Sequence, residues 1–406
     1  MARRTVAVFT GNRAEYGLQF PILKAIDEHP ALDYRLIVSG AHLDDNFGRT
    51  LQEIEADGFV IHDEVRIDLD ADSLVATAQA IGSGVISMSR ALERIRPDLL
   101  VVYADRFEGF AAVIAGTQMS IPTAHIEGGD ITDGGALDDS VRHAMTKLSH
   151  LHFSTNEEAS NRIKGMGEEP WRVHTVGFPA IDLIADGNFA DADEVLAAYG
   201  LDPGRPLVVF TQHSVTTEFD QATAQVRPSL QAMRRLAADG TQVIITYPNN
   251  DAGGRRIIAE LEALAAQRLD NLQLHRSLGR YNYHGLLALA RQPDQRVVCV
   301  GNSSSGIKET PALGCPAVNI GSRQYRRLRA DNVLDADYDA EEIYQATRRG
   351  LYDEAFRSRC RGCHNPYGIG DAGAKVAQVL ATVALDQRLI RKSMCLRGEA
   401  RDGWYR

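Results

Sequence analysis

The sequence predicts an α/β protein made of two Rossmann-like, doubly wound domains that face each other across a cleft. Two observations predict this fold. Short β-branched apolar runs alternate with helical stretches, and this alternation restarts near residue 205. Strand–helix–strand alternation at this spacing implies right-handed crossovers and a parallel sheet covered by helices on both faces. A chain of 406 residues is long enough for two such domains.

Apolar runs in the first half of the chain predict five strands, several of which end in glycine or in a polar cluster, as buried parallel strands do. These runs are residues 5–11, 34–40, 98–105, 122–128 and 150–155. Helical periodicity lies between them, at residues 20–30, 47–58 and 73–97.

The second half predicts five more strands, at residues 206–213, 242–249, 271–277, 296–304 and 316–322. A polar stretch dotted with glycine and proline, around residues 180–205, separates the two halves. We therefore predict a first domain over residues 1–182, a second over 183–383, and a basic C-terminal tail over 384–406 to which no role is assigned.

Composition limits the function. The net charge of −10 and the lack of a basic block argue against a nucleic-acid or membrane partner. No apolar run approaches a membrane span, and the first residues read as a strand rather than as a signal peptide. The five cysteines are odd in number, which is typical of reduced thiols and of a cytoplasmic protein.

Metal and cofactor motifs are incomplete. Cys360 and Cys363 form a CxxC pair without a second pair or two histidines at zinc spacing, so incidental thiols are favoured over a metal or redox site. The sequence contains neither GxGxxG after the first strand nor GxxxxGK[ST]. We therefore expect no cofactor, neither NAD nor a metal.

In doubly wound sheets, ligands bind beyond the carboxyl ends of the strands. There the sequence places Arg13, His213 and Arg323, each a natural phosphate partner, although surface charge remains the alternative for any one of them. In GNSSSGIKE, either Ser303 or Ser304 can cap a helix that runs toward Leu313. Such a helix start suits a diphosphate, and Glu309 could accept hydrogen bonds from ribose hydroxyls; an ordinary capped helix is an equally good interpretation.

The segment AHIEGGDITDGGALDDSVRH, residues 124–143, concentrates five carboxylates and four glycines. A solvated loop, a metal site and a set of catalytic carboxylates are the alternatives. Glu127, Asp130 and Asp133 are three residues apart, whereas a calcium loop of the EF-hand type needs alternating ligands and a final Glu.

Several motifs together resemble the UDP-N-acetylglucosamine 2-epimerase family, of GT-B fold. In chain order these are TGNRAEYG, ADRFE, AHIEGGD, DDSVRH, QHSVT, PNNDAGG, GNSSSGIKE, GSRQ and NPYGIGD, and the resemblance spans residues 4–383. DRFE followed by HIEGG and DDSxRH is most similar to the hydrolysing branch. Three positions depart from the family pattern: Ala104 replaces a usual Gly, Asp130 replaces a common Glu, and Tyr325 begins a pair where many members have Gly-Arg.

The resemblance implies elimination of UDP through a 2-acetamidoglucal, followed by addition of water to give N-acetylmannosamine. It implies catalytic carboxylates at Asp105, Glu127 and Asp138, with His213 also in the catalytic group. The segment before Asp138 is about two residues longer than usual, so Asp139 is an alternative for that position. Asp130 and Asp133 lie among the glycines and are expected to be exposed on a mobile loop that closes over the sugar.

The resemblance also implies a UDP-sugar site and a homodimer or homotetramer. The residues implied in substrate binding are Arg13, Gly17, Arg142, His143, Asn250, Asn302, Ser303, Ser304, Gly306, Glu309 and Arg323. Other hypotheses are a non-hydrolysing epimerase that returns UDP-N-acetylmannosamine, the same chemistry on a variant UDP-2-acetamido sugar, a glycosyltransferase, and a nucleotide-sugar sensor without turnover.

Overall fold

The computed structural model describes residues 3–43, 51–67, 74–131, 137–249 and 252–395. At six positions within these ranges only the backbone is described: Arg13, Ala14, Ala41, Leu74, Leu137 and Thr216. The described chain forms two compact units. The first contains residues up to Ile131, residues Leu137–Asp182 and the chain from Gly370 onward, and the second contains Leu183–Ile369.

The first unit is built on a seven-stranded, wholly parallel sheet in the order β3-β2-β1-β4-β5-β6-β7. Its strands are β1 Arg4–Thr10, β2 Leu32–Ser39, β3 Ile61–Val65, β4 Leu99–Tyr103, β5 Thr123–Ile126, β6 Leu151–Ser154 and β7 Val173–Thr175. The strand order reverses between β1 and β4, and this switch point is where an open α/β sheet offers a ligand crevice.

The second unit is built on a six-stranded parallel sheet in the order β10-β9-β8-β11-β12-β13. Its strands are β8 Leu207–Thr211, β9 Gln242–Thr246, β10 Leu272–His275, β11 Val297–Gly301, β12 Ala317–Ile320 and β13 Val333–Ala336. Its switch point lies between β8 and β11.

Helices cover both sheets. Along the chain they are α1 Arg13–Glu28, α2 Leu51–Ala56, α3 Leu74–Ile95, α4 Phe107–Gln118, α5 Leu137–Leu148, α6 Glu157–Gly165, α7 Ala180–Ala185, α8 Ala192–Tyr199, α9 Ala222–Ala238, α10 Gly254–Ala265, α11 Gly279–Ala288, α12 Ser305–Lys308, α13 Ala340–Tyr352, α14 Glu354–Arg361, α15 Ala372–Thr382 and α16 Gln387–Ile390. Within the described ranges, no helix has both the length and the apolar character that crossing a bilayer requires.

The sequence-based fold class is confirmed, and each of the predicted strands coincides with an observed one. Three short strands were not predicted: β3, β7 and β13. Strand β3 lies at a sheet edge and reads IHDEV, in which exposed polar residues interrupt the apolar run. Helix α1 begins at Arg13, seven residues earlier than predicted, because Asn12 caps it by accepting a hydrogen bond from the backbone N–H of Glu15.

The C-terminal limit predicted for the second domain is wrong, because the chain returns to the first unit at Gly370. Helix α15 packs against α1 so closely that a Cβ on Gly373 would lie 2.5 Å from the Pro21 carbonyl oxygen. The Asp182 carboxylate accepts hydrogen bonds from the backbone N–H groups of Ala372 (3.0 Å) and Gly373 (2.7 Å). Residues 370–383 are therefore part of the first unit.

The described part of the predicted tail is also anchored to the first unit. Leu389 is buried, and the buried Arg172 donates to the backbone carbonyls of Arg388 and Leu389 at 2.7 Å each. Farther on, the ammonium of Lys392 donates to the carbonyls of Lys147 (2.8 Å) and Ser149 (2.5 Å), at the C-terminal end of α5. The Lys392 ammonium thus caps carbonyl groups at the end of α5 that the helix leaves without an intrahelical partner.

Candidate active site

Strands β4 and β5 are each followed by a non-glycine residue with left-handed backbone geometry. Ala104 has φ 54° and Glu127 has φ 63°, and each directly follows its strand. The backbone N–H of Ala104 donates to the Ile126 carbonyl (2.9 Å), and that of Glu127 donates to the Phe153 carbonyl (2.8 Å). These bonds hold the two strained residues side by side at the same edge of the sheet, with Asp105 next along the chain.

Arg142, on α5, joins the carboxylates of this edge. Its guanidinium donates to Asp105 and, at 2.5 Å, to Asp139, and it also donates to the Asp130 backbone carbonyl at 3.0 Å. The Arg142 side chain is 5% exposed and that of Asp105 is 19% exposed. Burial alone would lower the pKa of Arg142, but the charges of Asp105, Asp130 and Asp139 raise it, so this residue is a permanent cation.

The two neighbouring aspartates of α5 have different surroundings. The Asp139 side chain is 13% exposed and pairs with Arg142 one helical turn later, whereas Asp138 is exposed. Both lie in the first turn of α5, where the helix dipole favours negative charge. His143 also lies on α5, half-buried, and burial lowers its pKa.

The expectation that Asp130 lies exposed on a mobile loop is wrong. Asp130 is 2% exposed, and its backbone carbonyl is bound by Arg142. The residue directly before Asp130 matters for this burial: a Cβ on Gly129, whose φ is 74°, would lie 2.3 Å from the Ala159 carbonyl oxygen of α6. Glycine at position 129 therefore lets the backbone of this segment pack closely against α6. Asp133 lies outside the described residues.

A second pair of carboxyl groups lies beneath the end of β1. Glu15 is buried, and it accepts hydrogen bonds from the backbone N–H of Gly11 (3.1 Å) and the amide of Gln19 (2.9 Å). Burial, and then the charge of Glu108, raise the pKa of Glu15 to about 8. Glu15 is thus held as a neutral acid near neutral pH.

Two predicted substrate-binding residues lie in the first turns of α1. The backbone of Arg13 begins the helix, but its side chain is outside what the structure describes. A Cβ on Gly17 would meet no described atom within 4 Å, so packing in the described structure does not require glycine there.

In the second unit, Asn302 and His213 together connect the ends of four strands. Its side-chain oxygen accepts from the His213 backbone N–H (2.7 Å), and its side-chain amide donates to the His213 carbonyl (2.9 Å). The Asn302 carbonyl in turn accepts from Arg323 (3.0 Å) and Gln324 (2.8 Å), which follow β12. His213 Nδ1 accepts from the Asn249 backbone N–H at 3.0 Å, which leaves the proton on Nε2.

His213 is neutral in this setting. Burial, together with the positive charge of Arg323, lowers its pKa to about 3. Its Nε2–H is therefore a neutral donor at physiological pH, and Arg323 is the charged group of the cluster. Asn250, also predicted to bind substrate, lies outside the described residues.

The helix predicted after Ser303 and Ser304 is shorter than expected. Gly301 has φ 133°, and its Cβ position would overlap the Thr211 carbonyl, so only glycine fits this turn. Helix α12 covers four residues and continues as a 3₁₀ turn over Thr310–Leu313, because Pro311 cannot extend the α-helical hydrogen bonding. Ser303 Oγ accepts from the Ser305 N–H at 3.4 Å, and Ser304 makes no side-chain cap bond among the described residues.

Glu309 and Gly306 lie on this short helical segment. The Glu309 carboxylate is 2.7 Å from His284 Nε2, on α11. A Cβ on Gly306 would only touch the Cys299 sulfur at 3.7 Å, an ordinary contact. Ser303, Ser304 and Gly306 thus follow Asn302 closely in the chain. The carboxylate of Glu309 is oriented by its contact with His284.

Sequence reasoning missed three polar residues that the structure places in direct contact with site residues: His125, Gln324 and His284. His125 and His284 are both fully buried. His125 stands among the largely apolar residues of β5, which is a signal that the sequence offers, whereas His284 follows the polar residues Arg280 and Asn282 on α11 and gives no such signal. The described residues contain no group of three or more His, Cys, Asp or Glu side chains placed to hold a metal ion.

Comparison with known proteins identifies the relatives of this chain. The family model described as UDP-N-acetylglucosamine 2-epimerase matches residues 24–381. A UDP-N,N'-diacetylbacillosamine 2-epimerase (hydrolyzing) from Legionella pneumophila is 33% identical over 390 residues, covering 96% of this chain and 98% of the relative. A UDP-N-acetylglucosamine 2-epimerase from Neisseria meningitidis serogroup B is 32% identical over 346 residues, covering 85% and 87%.

The fold has solved relatives as well. The structure of a UDP-GlcNAc 2-epimerase from Neisseria meningitidis bound to UDP-GlcNAc matches with a TM-score of 0.77 and 18% identity, covering 93% of this chain and 99% of that one. At 18% identity this structural match supports the fold alone, and membership of the family rests on the family model.

Proposed function

Because this chain belongs to the UDP-N-acetylglucosamine 2-epimerase family, we propose that it is a hydrolysing 2-epimerase that converts a UDP-2-acetamido sugar to UDP and the free, C2-inverted sugar. The observation that carries the proposal is the carboxylate cluster of the first unit. Asp105 and Glu127 follow two adjacent strand ends, Asp139 lies at a helix start, and the buried guanidinium of Arg142 pairs with Asp105 and Asp139.

The first step of the proposed reaction is an elimination. A carboxylate takes the proton from sugar C2 while the bond between C1 and the UDP oxygen breaks, leaving a 2-acetamidoglucal. The C2 proton is a weak acid, so a base held in position is needed. The buried Arg142 guanidinium holds its partner carboxylates in a fixed orientation beside the developing positive charge on the ring.

The second step adds water across the new double bond. The water oxygen bonds to C1, and a proton is delivered to C2 from the face opposite the first removal, so the free sugar leaves inverted at C2. Asp105, Glu127 and Asp138 are the carboxyl groups we propose for these transfers. Asp138 is preferred to its neighbour because it is exposed, whereas the Asp139 side chain is 13% exposed and pairs with Arg142 of the same helix. We assign no step to any single one of them.

The cluster around Asn302 in the second unit suits the leaving group. Arg323 supplies positive charge, the Nε2–H of neutral His213 supplies a donor, and Ser303 and Ser304 add hydroxyl groups next to Asn302. Together these groups can stabilise the diphosphate of UDP as it takes up negative charge. Glu309, held by His284, is proposed to accept from the ribose hydroxyls.

Hydrolysis, rather than return of a UDP-linked epimer, is favoured by the name of the Legionella relative, which carries the designation "hydrolyzing" at 33% identity over nearly the whole chain. The same name favours a second candidate substrate, UDP-N,N'-diacetylbacillosamine, beside UDP-N-acetylglucosamine. The Neisseria relative, at 32% identity, is named for the latter sugar.

The test is a product analysis. The purified protein is incubated separately with the two UDP-sugars, and the products are separated by anion exchange. Free UDP and a neutral sugar in equal amounts are the expected result with at least one substrate. A UDP-linked epimer without free sugar would contradict hydrolysis, and no reaction with either would contradict the proposed activity on these sugars.

A further inference from the structure

His125 is a polar residue inside an apolar strand, and the catalytic proposal above does not use it. It is fully buried in β5. Its Nε2 lies 2.6 Å from the Ala104 carbonyl oxygen, and its Nδ1 lies 3.1 Å from the Thr146 hydroxyl on α5. A carbonyl oxygen can only accept, so Nε2 carries the proton and Nδ1 accepts from Thr146. Burial lowers the pKa of His125 to about 3, in agreement with a neutral ring.

The Ala104 carbonyl belongs to the peptide unit that directly precedes Asp105. Ala104 has φ 54°, a left-handed conformation that costs an L-residue roughly 1–2 kcal/mol. Two contacts from β5 hold it there: the Ile126 carbonyl accepts from the Ala104 N–H at 2.9 Å, and His125 donates to the Ala104 oxygen. The peptide planes on both sides of the Ala104 Cα are therefore fixed by the neighbouring strand.

The glycine after Glu127 makes room for this arrangement. A Cβ on Gly128 would lie 2.9 Å from the Thr146 hydroxyl oxygen and 3.0 Å from His125 Nδ1. The first distance is shorter than real Cβ atoms show and the second is tighter than most, so a larger residue would displace the Thr146 hydroxyl and crowd the His125 ring. The sequence His125-Ile-Glu-Gly128 thus combines a site carboxylate with the space that the histidine needs.

We propose that His125 is a positioning residue: by donating to the Ala104 carbonyl in a tautomer fixed by Thr146, it holds Ala104 left-handed and thereby directs the Asp105 carboxylate onto Arg142 and toward the sugar. This inference rests on the proposed function for its kinetic consequence. It explains how alanine is accommodated at a turn where glycine would adopt the conformation without strain.

The first test compares two amide variants. In His125→Gln the amide N–H can take the place of Nε2–H, whereas in His125→Asn the amide reaches only the position of Nδ1. We expect His125→Asn to lower kcat roughly 100-fold, the scale expected for a misplaced catalytic group, and His125→Gln to lower it less than about tenfold. KM should stay within about threefold in both.

A merely structural histidine would behave differently. Its loss would lower the melting temperature and the active fraction, and kcat per folded molecule would fall alike in both variants. Equal kcat values for the two variants, or a loss confined to KM, would overturn the proposal. Should His125→Asn fail to fold, Thr146→Val keeps the side-chain shape and removes only the donor to Nδ1, with an expected loss of about fivefold or more in kcat.

The second test couples His125 to Ala104. Glycine reaches φ near +54° without strain, so in an Ala104→Gly background the loss caused by His125→Asn should shrink at least about fivefold. Strictly additive effects on kcat would contradict the link between the imidazole and the Ala104 backbone.

A third measurement does not depend on turnover. Nitrogen-15 NMR of the labelled full-length protein at neutral pH should show, beside that of His213, a neutral Nε2–H tautomer signal that is assigned to His125 by its absence from the His125→Gln spectrum. A charged ring or an Nδ1–H tautomer at this position would overturn the proposal. If the wild-type protein turns over no UDP-sugar while this signal is present, the proposed function fails and the hydrogen-bonded arrangement stands.

Discussion

The guanidinium of Arg142 donates to the carboxylate of Asp105, so helix α5 is tied directly to the end of strand β4. The same guanidinium also holds Asp139 and the backbone of Asp130. One buried cation thus ties Asp105, Asp139 and the backbone of Asp130 together.

Replacing Arg142 should therefore affect both stability and activity. Arg142→Met leaves Asp105 and Asp139 without their buried partner, and we expect the free energy of unfolding to fall by about 3–5 kcal/mol. Arg142→Lys keeps the charge without the planar fork, so it should retain more stability than the methionine variant but still lose most of its kcat. Denaturant unfolding and UDP release measure the two effects.

Arg94→Met is the matched control for this substitution. Arg94 makes a two-point pair with Asp63, but its side chain is 60% exposed. Its loss should change stability by less than about 1 kcal/mol and leave kcat unaltered. Similar losses of stability and kcat in Arg94→Met and Arg142→Met would contradict the role of Arg142 as the cation that holds the site carboxylates.

Substitutions of Asp138 and Asp139 on α5 should affect different properties of the protein. Asp138→Asn is expected to abolish most turnover with UDP binding and stability retained, because the exposed Asp138 is the one placed to reach substrate. Asp139→Asn should instead lower the melting temperature, because it weakens the pair with Arg142. Calorimetric titration with UDP, the melting temperature and kcat distinguish the two variants. Lost turnover in Asp139→Asn with a lowered melting temperature in Asp138→Asn would assign the chemical role to Asp139.

Glu15 should make stability depend on pH. Its pKa rises from 4.5 to about 8, so the folded protein keeps a proton that the unfolded chain releases. The stabilisation from Glu15 is complete below pH 4.5 and is lost as the pH rises toward 8, with a slope of up to about 1.4 kcal/mol per pH unit.

Glu15→Gln removes this titration while keeping the size of the side chain. The stability of the wild type relative to Glu15→Gln should fall steadily between pH 5 and 8, values that lie within the window set by the two pKa values. Denaturant unfolding of both proteins across this range provides the comparison. A difference that is flat or that rises with pH would show that Glu15 is ionised in the folded protein.

Lys392 should contribute to the stability of the first unit. Besides the carbonyls at the end of α5, its ammonium lies 2.8 Å from the buried Glu168 carboxylate. Lys392→Met should therefore cost about 1–3 kcal/mol, since it leaves buried acceptors without this donor. Lys24→Met is the control, because Lys24 makes only an exposed pair with Glu28 at 4.0 Å. Equal melting temperatures for the two variants would mean that the segment is not anchored through Lys392.

The sequence was most informative where strand ends and polar clusters coincide. Apolar runs predicted the parallel sheets, the rule that ligands bind at the carboxyl ends of strands pointed to His213, and the family resemblance pointed to Asp105 and Glu127. Pattern alone could not show that Asn302 binds the His213 backbone, because that contact joins residues 89 positions apart.

Other features depend on tertiary contacts that sequence periodicity does not contain. The return of α15 to the first unit follows from the close packing of Gly373 on Pro21. The early end of α12 follows from Pro311, and the burial of Asp130 follows from its backbone bond to Arg142. The left-handed backbone of Ala104 could likewise not be predicted from the sequence, because alanine rarely adopts that conformation.

The central claim, that this chain inverts C2 through elimination and hydration, is tested most directly by proton NMR of the reaction in deuterated water. With UDP-N-acetylglucosamine or its diacetamido analogue, the account predicts equal amounts of UDP and a free sugar of inverted C2 configuration that carries deuterium at C2. A free sugar that keeps its original C2 proton would contradict the account, because no proton would then have been removed from that carbon.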